Sequence, residues 1–456
     1  MKVFNKFSGE AIAELPDTDM NSAREILAAS LKASYEMAKL PSFRLQDAVD
    51  YIAGELKNRS SELSAIITAE TGKPIRYSRA EVEASARAFR SAAHEIYRDG
   101  GEAVPMDVHE DGINRVAFYR RFPVGIVYAV APFWNPLSIL SGFAAPALAS
   151  GNSVIAKPSE FSPLSAAKLA EIVCGSGLPE NAMSACFSDG GSASSNLFLQ
   201  SGDVGVVAFA GKRSNAARIS VKTGMKRVIA WSGGNSPAIV WDDADLDAAA
   251  VAVAEGAFGA QTQGSLHVQR IIVKSDSYEY FRNRIVEIGS ALKAGDPAKE
   301  ETDIGPLSSS EAAQTLEKMI LDAGNSGASR ILGGKHDGSL FPPTLMENVP
   351  VSSDLWGIEI MGPMSCIMPV DSLEEAISAA NNEEGGLQAG IFTSDLNLAM
   401  TAIERLNFSS VMVNDISMDI AAPVPYGGVR SSGTSKLGIR YLMDEMTEAR
   451  LAVIKR

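Results

Sequence analysis

The sequence predicts an α/β protein built in more than one unit, on three observations. Residues 22 to 95 place apolar side chains at helical spacing, as in ILAASLKASYEMAKL and DAVDYIAGELKNRSSELSAIITAE. From there to about residue 240, short segments rich in Val, Ile and Ala alternate with helical stretches. The same alternation returns between about 245 and 420. Each strand-like run is too apolar to face water on one side, which is the signature of parallel strands covered by helices on both faces.

In chain order, the amphipathic helical run comes first. PVGIVYAVAP, GNSVIAKPS, DVGVVAFAG, KRVIAWSGG and SPAIVWDDAD then read as strands, with PLSAAKLAEIVCGSG as an intervening helix. The second block supplies QRIIVKS, SCIMPV and AGIFTS as strands, and SYEYFRNRIVEIGS and LEEAISAANN as helices. No internal repeat and no low-complexity stretch interrupts this order. RVAFYRRFPV and the alternating tail EARLAVIKR read as edge strands able to pair between subunits.

Composition narrows the class. At about 100 to 200 residues per domain, the 456 residues allow two to four units. With 46% apolar and 21% charged residues the chain is an ordinary globular one. Its 55 acidic against 41 basic residues give a net charge of -14, the wrong sign for tracking nucleic acid or anionic lipid. Cysteine occurs only at 174, 186 and 366, without the close pairs of a disulfide framework or a zinc cluster. The start, MKVFNKFSGEAIAELPD, has no signal-peptide core, so a reducing, cytoplasmic location is expected. From 124 to 156 no charged residue occurs, a length that would span a bilayer. Pro132, Asn135, Pro136, Pro146, Gly151 and Asn152 break any continuous helix there, so the segment reads as buried strand, loop and helix, with no membrane role.

The string APFWNPLSILSGFAAPALASGNSVIAKPSEFSP resembles the nucleotide-binding core of the aldehyde dehydrogenase superfamily. The likeness continues in VVAFAGKRSNAARI, WSGGNSPAIVWDDADLDAA, GAFGAQTQGSLHVQRIIV, GDPAKEETDIGPLSS, EIMGPM and PVPYGGVRSSGTSKLG, in family order over nearly the whole chain. The resemblance implies a Rossmann-type cofactor domain at 1–112 and 131–240, an α/β catalytic domain at 241–425, and an oligomerisation arm at 113–130 and 435–456. It also implies a homodimer or homotetramer and a small-molecule substrate.

For the cofactor, the resemblance points to NAD or NADP held by Pro132, Phe133, Lys157, Ser159, Glu160, Gly211, Lys212, Gly233 and Glu359. Lys157 and Glu160 fall against the adenosine ribose. A carboxylate there accepts hydrogen bonds from a free 2′-hydroxyl and repels a 2′-phosphate, which tilts the expectation to NAD. Glu359 falls on the nicotinamide ribose. Gly211 ends a strand before a helix whose N-terminus can meet a pyrophosphate, with Lys212 in place of the usual small hydroxyl residue and Ala216 in place of a later glycine.

At the catalytic positions the sequence departs from the family. Ser265 stands at the nucleophile position, Trp231 at the general-base position and Trp134 at the oxyanion-donor position, with Asn135 one place further on. An unassisted serine hydroxyl ionises far above the ~8.5 of a cysteine thiol, a difference of about 10 kcal/mol. His267 is the nearest candidate base, but a residue two positions away points elsewhere on a strand or a helix. Asn414, Asp415 and Asp419 fall in a loop near the substrate entrance, Asp415 as a turn or cap residue.

Three functions follow as expectations. One is hydride transfer without a covalent thiol intermediate, such as NAD(P)H reduction of an imine, iminium or carbonyl, with the indoles holding a cationic or aromatic substrate. The second is a non-catalytic scaffold whose indoles fill an abandoned site. The third is conventional NAD-dependent aldehyde oxidation or an esterase remnant, with Ser265 as nucleophile or as an engineered replacement for it.

Overall fold

The computed structural model describes residues 1–98, 100–189, 191–264, 266–416 and 424–456. Ser265 and Asp419 lie outside them.

The expected helical run forms four helices, Met20–Met37, Ser42–Asn58, Ser60–Thr71 and Ile75–Glu95. The apolar stripes of the last three, with Val49, Ile52, Leu56, Ile67, Val82 and Phe89 among them, pack in one core with the helix Pro136–Ala149, while Met20–Met37 packs chiefly on the other face of the sheet described next. Pro136 occupies the first turn of that helix, where its missing N–H costs nothing.

A five-stranded parallel sheet lies at the centre of this unit. Its spatial order is Met183–Ala185, Ser153–Lys157, Ile126–Val130, Val204–Gly211 and Arg227–Ser232. In chain order this is 3-2-1-4-5, so the winding reverses between Ile126–Val130 and Val204–Gly211. A crevice opens beyond the carboxyl ends at such a reversal, and open α/β sheets bind their ligands there. The charge-free stretch resolves into the strand Ile126–Val130, the helix Pro136–Ala149 and the strand Ser153–Lys157.

The second block forms a seven-stranded sheet in the order Ser329–Leu332, Thr344–Glu347, Met364–Val370, Val268–Lys274, Ser236–Val240, Gln388–Phe392 and Ser410–Val413. Only the first pairing is antiparallel. The five buried residues of Ser236–Val240 explain the apolar run there: the strand has neighbours on both edges and cover on both faces.

The third sheet joins the two arm strands. Arg115–Pro123 pairs along its full length with Thr447–Lys455 of the same chain, and over Ala117–Tyr119 of its other edge with Glu102–Val104. The outer edge of Thr447–Lys455 is left open among the described residues. The segment 113–130 also divides: Ile126–Val130 joins the five-stranded sheet, because its buried apolar side chains need cover that a two-faced exposed ribbon lacks. Among the described residues no helix is long and apolar enough to cross a membrane.

Candidate functional site

The carboxyl ends of the five-stranded sheet bring the expected nucleotide residues together. Lys157 and Gly211 are the last residues of their strands, and Gly233 follows the end of Arg227–Ser232. Gly211 has φ +152°, which side-chain-bearing residues rarely adopt, and the chain turns there directly into the helix Arg213–Thr223. Lys212 caps that helix without a side-chain hydrogen bond, so no cap side chain covers its N-terminus at the strand end. Lys157 is buried; its Nζ donates to the Pro158 carbonyl at 3.0 Å and lies 3.9 Å from Glu160, and burial holds its pKa below the usual lysine value. Phe133 takes a hydrogen bond on its carbonyl from Ser162 at 3.2 Å, which ties the loop after Ile126–Val130 to the loop carrying Glu160. The Ser159 hydroxyl accepts from the Phe161 N–H at 3.3 Å and shapes that second loop. Pro132 is half-buried beside it.

Glu359 provides the test of fit for a nucleotide. Its carboxylate lies so close over Gly233 that a Cβ there would sit 1.9 Å from both oxygens. Burial pushes its pKa up to about 7, against the opposing pull of the Arg213 charge. Oε1 is buried and has no hydrogen-bond partner. A buried acceptor left unmade costs about 1–3 kcal/mol, so this atom calls for a donor from outside the described residues, and a ribose hydroxyl supplies one. The residues present therefore fit a dinucleotide.

Where the resemblance expects the oxyanion donor and the base, aromatic rings pack together. Trp134 and Trp231 are 8% and 7% exposed. Their rings meet edge to face at 5.7 Å, and Trp231 meets Tyr426 in the same way at 5.9 Å. Trp231 is held from behind: its backbone bridges to Gly433, while Ala230 exchanges hydrogen bonds with the Thr434 side chain and backbone. Trp231 Nε1 is buried without a partner. His267 is buried, neither ring nitrogen has a partner among the described residues, and burial lowers its pKa to about 4, so its neutral imidazole is a weak base for a serine proton.

Sequence reasoning missed a polar network beside the indoles. Lys73 donates to Glu81 Oε2 and to Asn135 Oδ1. Glu81 Oε1 in turn accepts from the N–H groups of Leu137 and Ser138 at 2.9 and 3.1 Å, closing the N-terminus of the helix Pro136–Ala149. A signal was available: Glu81 falls on the same stripe as Ser78, Val82, Ser85 and Phe89, a carboxylate on the buried face of an amphipathic helix. Tyr426, the third ring, carried no signal of spacing. These groups wall a cavity of about 330 Å³ together with Phe133, Gln263 and Thr262, and a smaller one of about 110 Å³ lies beyond, against Trp231 and Tyr426. Asn414 sits in the left-handed region at φ +57°, and its side chain accepts from Thr393 N. Asp415 accepts from Ile416 N at 2.8 Å, a local turn contact.

The aldehyde dehydrogenase family is matched over residues 1–452. A 3-sulfolactaldehyde dehydrogenase from Priestia aryabhattai is 36% identical over 457 residues, covering 100% of this chain and 94% of that protein. Aldehyde dehydrogenase 21 from Physcomitrella patens, solved with the reaction product succinate, superposes with a TM-score of 0.97 at 31% identity, over 100% of this chain and 95% of that one. A glyceraldehyde-3-phosphate dehydrogenase from Methanocaldococcus jannaschii, solved with NADP, gives a TM-score of 0.95 at 33% identity, over 100% of this chain and 99% of that one.

Proposed function

Because this chain belongs to the aldehyde dehydrogenase family, we propose that it binds NAD or NADP in the crevice of the five-stranded sheet and works as an oxidoreductase without the thiol cycle. The reaction is direct hydride transfer, such as reduction of an imine, iminium or carbonyl in a small molecule. The observation that carries this reading is the contrast between Glu359, with its unmade hydrogen bond above Gly233, and the indoles of Trp134 and Trp231 at the expected positions of the oxyanion donor and the base. A bound nicotinamide supplies the hydride. Lys157, Glu160 and Glu359 hold the riboses, and the first turn of Arg213–Thr223 receives the pyrophosphate. The indoles keep water out of the centre, and no carboxylate stands at position 231 to activate it. The hydrolytic half of aldehyde oxidation therefore lacks its base.

A second reading, a scaffold that has given up catalysis, is favoured by one observation: Trp134 and Trp231 are continuous with the main apolar core, as ring fillers of a closed site are.

Calorimetric titration with NAD, NADH, NADP and NADPH separates the two. We expect micromolar binding, tighter for a reduced form, and its loss in Lys157→Ala/Glu359→Ala. Absence of heat with all four nucleotides would leave the scaffold.

A further inference from the structure

The backbone beneath Glu359 is held by a residue at the start of the helix Arg213–Thr223. Arg213 donates from Nε to the Gly233 carbonyl at 3.0 Å, and its Nη2 pairs with Glu383. A planar guanidinium spent on two partners at once has little freedom left. The Glu383 side chain is fully buried, in the loop after the helix Leu373–Asn381, where Asn235 N–H at 3.0 Å and Arg270 at 3.9 Å also meet it. Arg213 passes because the chain is bare at Gly385, where a Cβ would sit 2.5 Å from Nη2. The Ser432 hydroxyl donates to the same Gly233 carbonyl at 2.9 Å and accepts from the Gly386 N–H at 3.0 Å, so Gly233 is fixed from two sides.

Four groups act on the Glu359 carboxyl. Arg213 and Lys212 come from the start of the helix, Glu383 from the loop beyond, and the Gly234 N–H from the backbone. Burial raises its pKa to about 7; Arg213 opposes most strongly, Glu383 adds to the rise, and Lys212 and the Gly234 N–H oppose it less. Ionisation matters to the chemistry, because a carboxylate is acceptor-only whereas its protonated form gives up one oxygen as a donor. We propose that Arg213 is the positioning residue of Glu359: anchored on Glu383 across Gly385, it holds the Gly233 backbone in place and keeps the carboxylate above it an anion that accepts from a ribose diol. The role in binding rests on the nucleotide reading, while the link between the two side chains is measured without nucleotide.

Infrared pH titration of the full chain, with the Glu359→Gln spectrum subtracted, reads the Glu359 carboxyl alone. Arg213→Met should raise its midpoint by about one pH unit, and Arg213→Lys, which keeps the charge, should stay within about half a unit of wild type. Glu383→Gln removes a like charge and should lower the midpoint, a second reading of the same link if Arg213→Met does not fold. A midpoint unmoved by either change overturns the proposal. In calorimetry with NADH, wild-type affinity should rise with pH through about 7. Arg213→Met should bind about threefold to tenfold more weakly near pH 7 and recover to within about twofold near pH 9. Equal loss at both pH values would mark a merely structural arginine and also overturn it. A shifted midpoint without heat from nucleotide keeps the link and removes the nucleotide reading.

Discussion

The nucleotide crevice and the catalytic centre are built on the same strand, Arg227–Ser232, yet they answer to different pressures. One residue, Ser232, separates Trp231 from Gly233, and the surroundings change from a ring stack to a polar cleft whose carboxylate has an oxygen unpartnered among the described residues. In the cleft, the missing side chain of Gly233 leaves room for the Glu359 carboxylate, which would have to move aside for any Cβ there. At the centre, contact requires only volume. An indole buries about 150–250 Å² and stabilises by about 4–6 kcal/mol, with about 0.5–1.5 kcal/mol more for each edge-to-face pair. The unmade Trp231 N–H bond takes back about 1–3 kcal/mol, so the stack remains favourable. The comparison teaches that one strand can carry a packed ring stack beside a bare-backbone cradle, each held by its own neighbours.

Breaking the ring stack should give the largest effect. Trp231→Ala is expected to lower the unfolding free energy by about 3–5 kcal/mol in urea titrations, and Trp231→Glu with Trp134→Asn to abolish turnover with nucleotide affinity changed only a few fold. Unchanged turnover in the double variant would remove the indoles from the mechanism. Glu81→Ala, which strands Lys73 and uncovers the helix N-terminus, should cost about 3–5 kcal/mol in the same assay.

The next effect is a pH dependence from Glu70. Its carboxylate is fully buried, accepts from Leu164 N and Ser165 N at 2.7 and 3.0 Å, and is pushed up to about 7 by burial. The folded state therefore keeps a proton that the unfolded chain releases above about 4.5. Stability from this group is fully present below that pH, falls by about 3 kcal/mol as pH rises toward 7, and levels off above. His267, lowered to about 4, acts with the opposite sign: the unfolded chain gains a proton below about 6.5, so its contribution is lost on acidification from 6.5 toward 4. Urea unfolding from pH 5 to 8 should show the Glu70 slope flattened in Glu70→Gln, and an equal slope in both proteins would contradict it. The smallest effect sharpens the cleft side: Glu160→Gln should raise NADP relative to NAD affinity by about threefold to tenfold, read by paired titrations.

The strands and helices of both α/β units were legible because their periods are strong: GNSVIAKPS could hardly be anything but the buried strand Ser153–Lys157. The arm was less so, since RVAFYRRFPV and EARLAVIKR share an alternating pattern that suits a partner in the same chain as well as one in another. Substitutions at the centre were visible as letters, but the edge-to-face geometry was not, because Tyr426 meets Trp231 only through long-range folding. The Lys73–Glu81–Asn135 network escaped for a related reason. Asn135 joins two residues more than fifty positions away, and only the misplaced carboxylate on the helix Ile75–Glu95 hinted at it.

Behind Gly233 lies a buried junction. Glu383 pairs with Arg213 from the helix Arg213–Thr223, takes the Asn235 N–H at 3.0 Å, and stands 3.9 Å from Arg270 on the strand Val268–Lys274. Arg213 also reaches the Gly233 carbonyl at 3.0 Å, and Arg430 donates to the Glu383 carbonyl at 2.9 Å. One acid thus ties the five-stranded unit to the seven-stranded one beside the crevice. Charges so deeply placed are little screened by salt, so raised ionic strength should leave this junction paired while it loosens the exposed ion pairs of the surface.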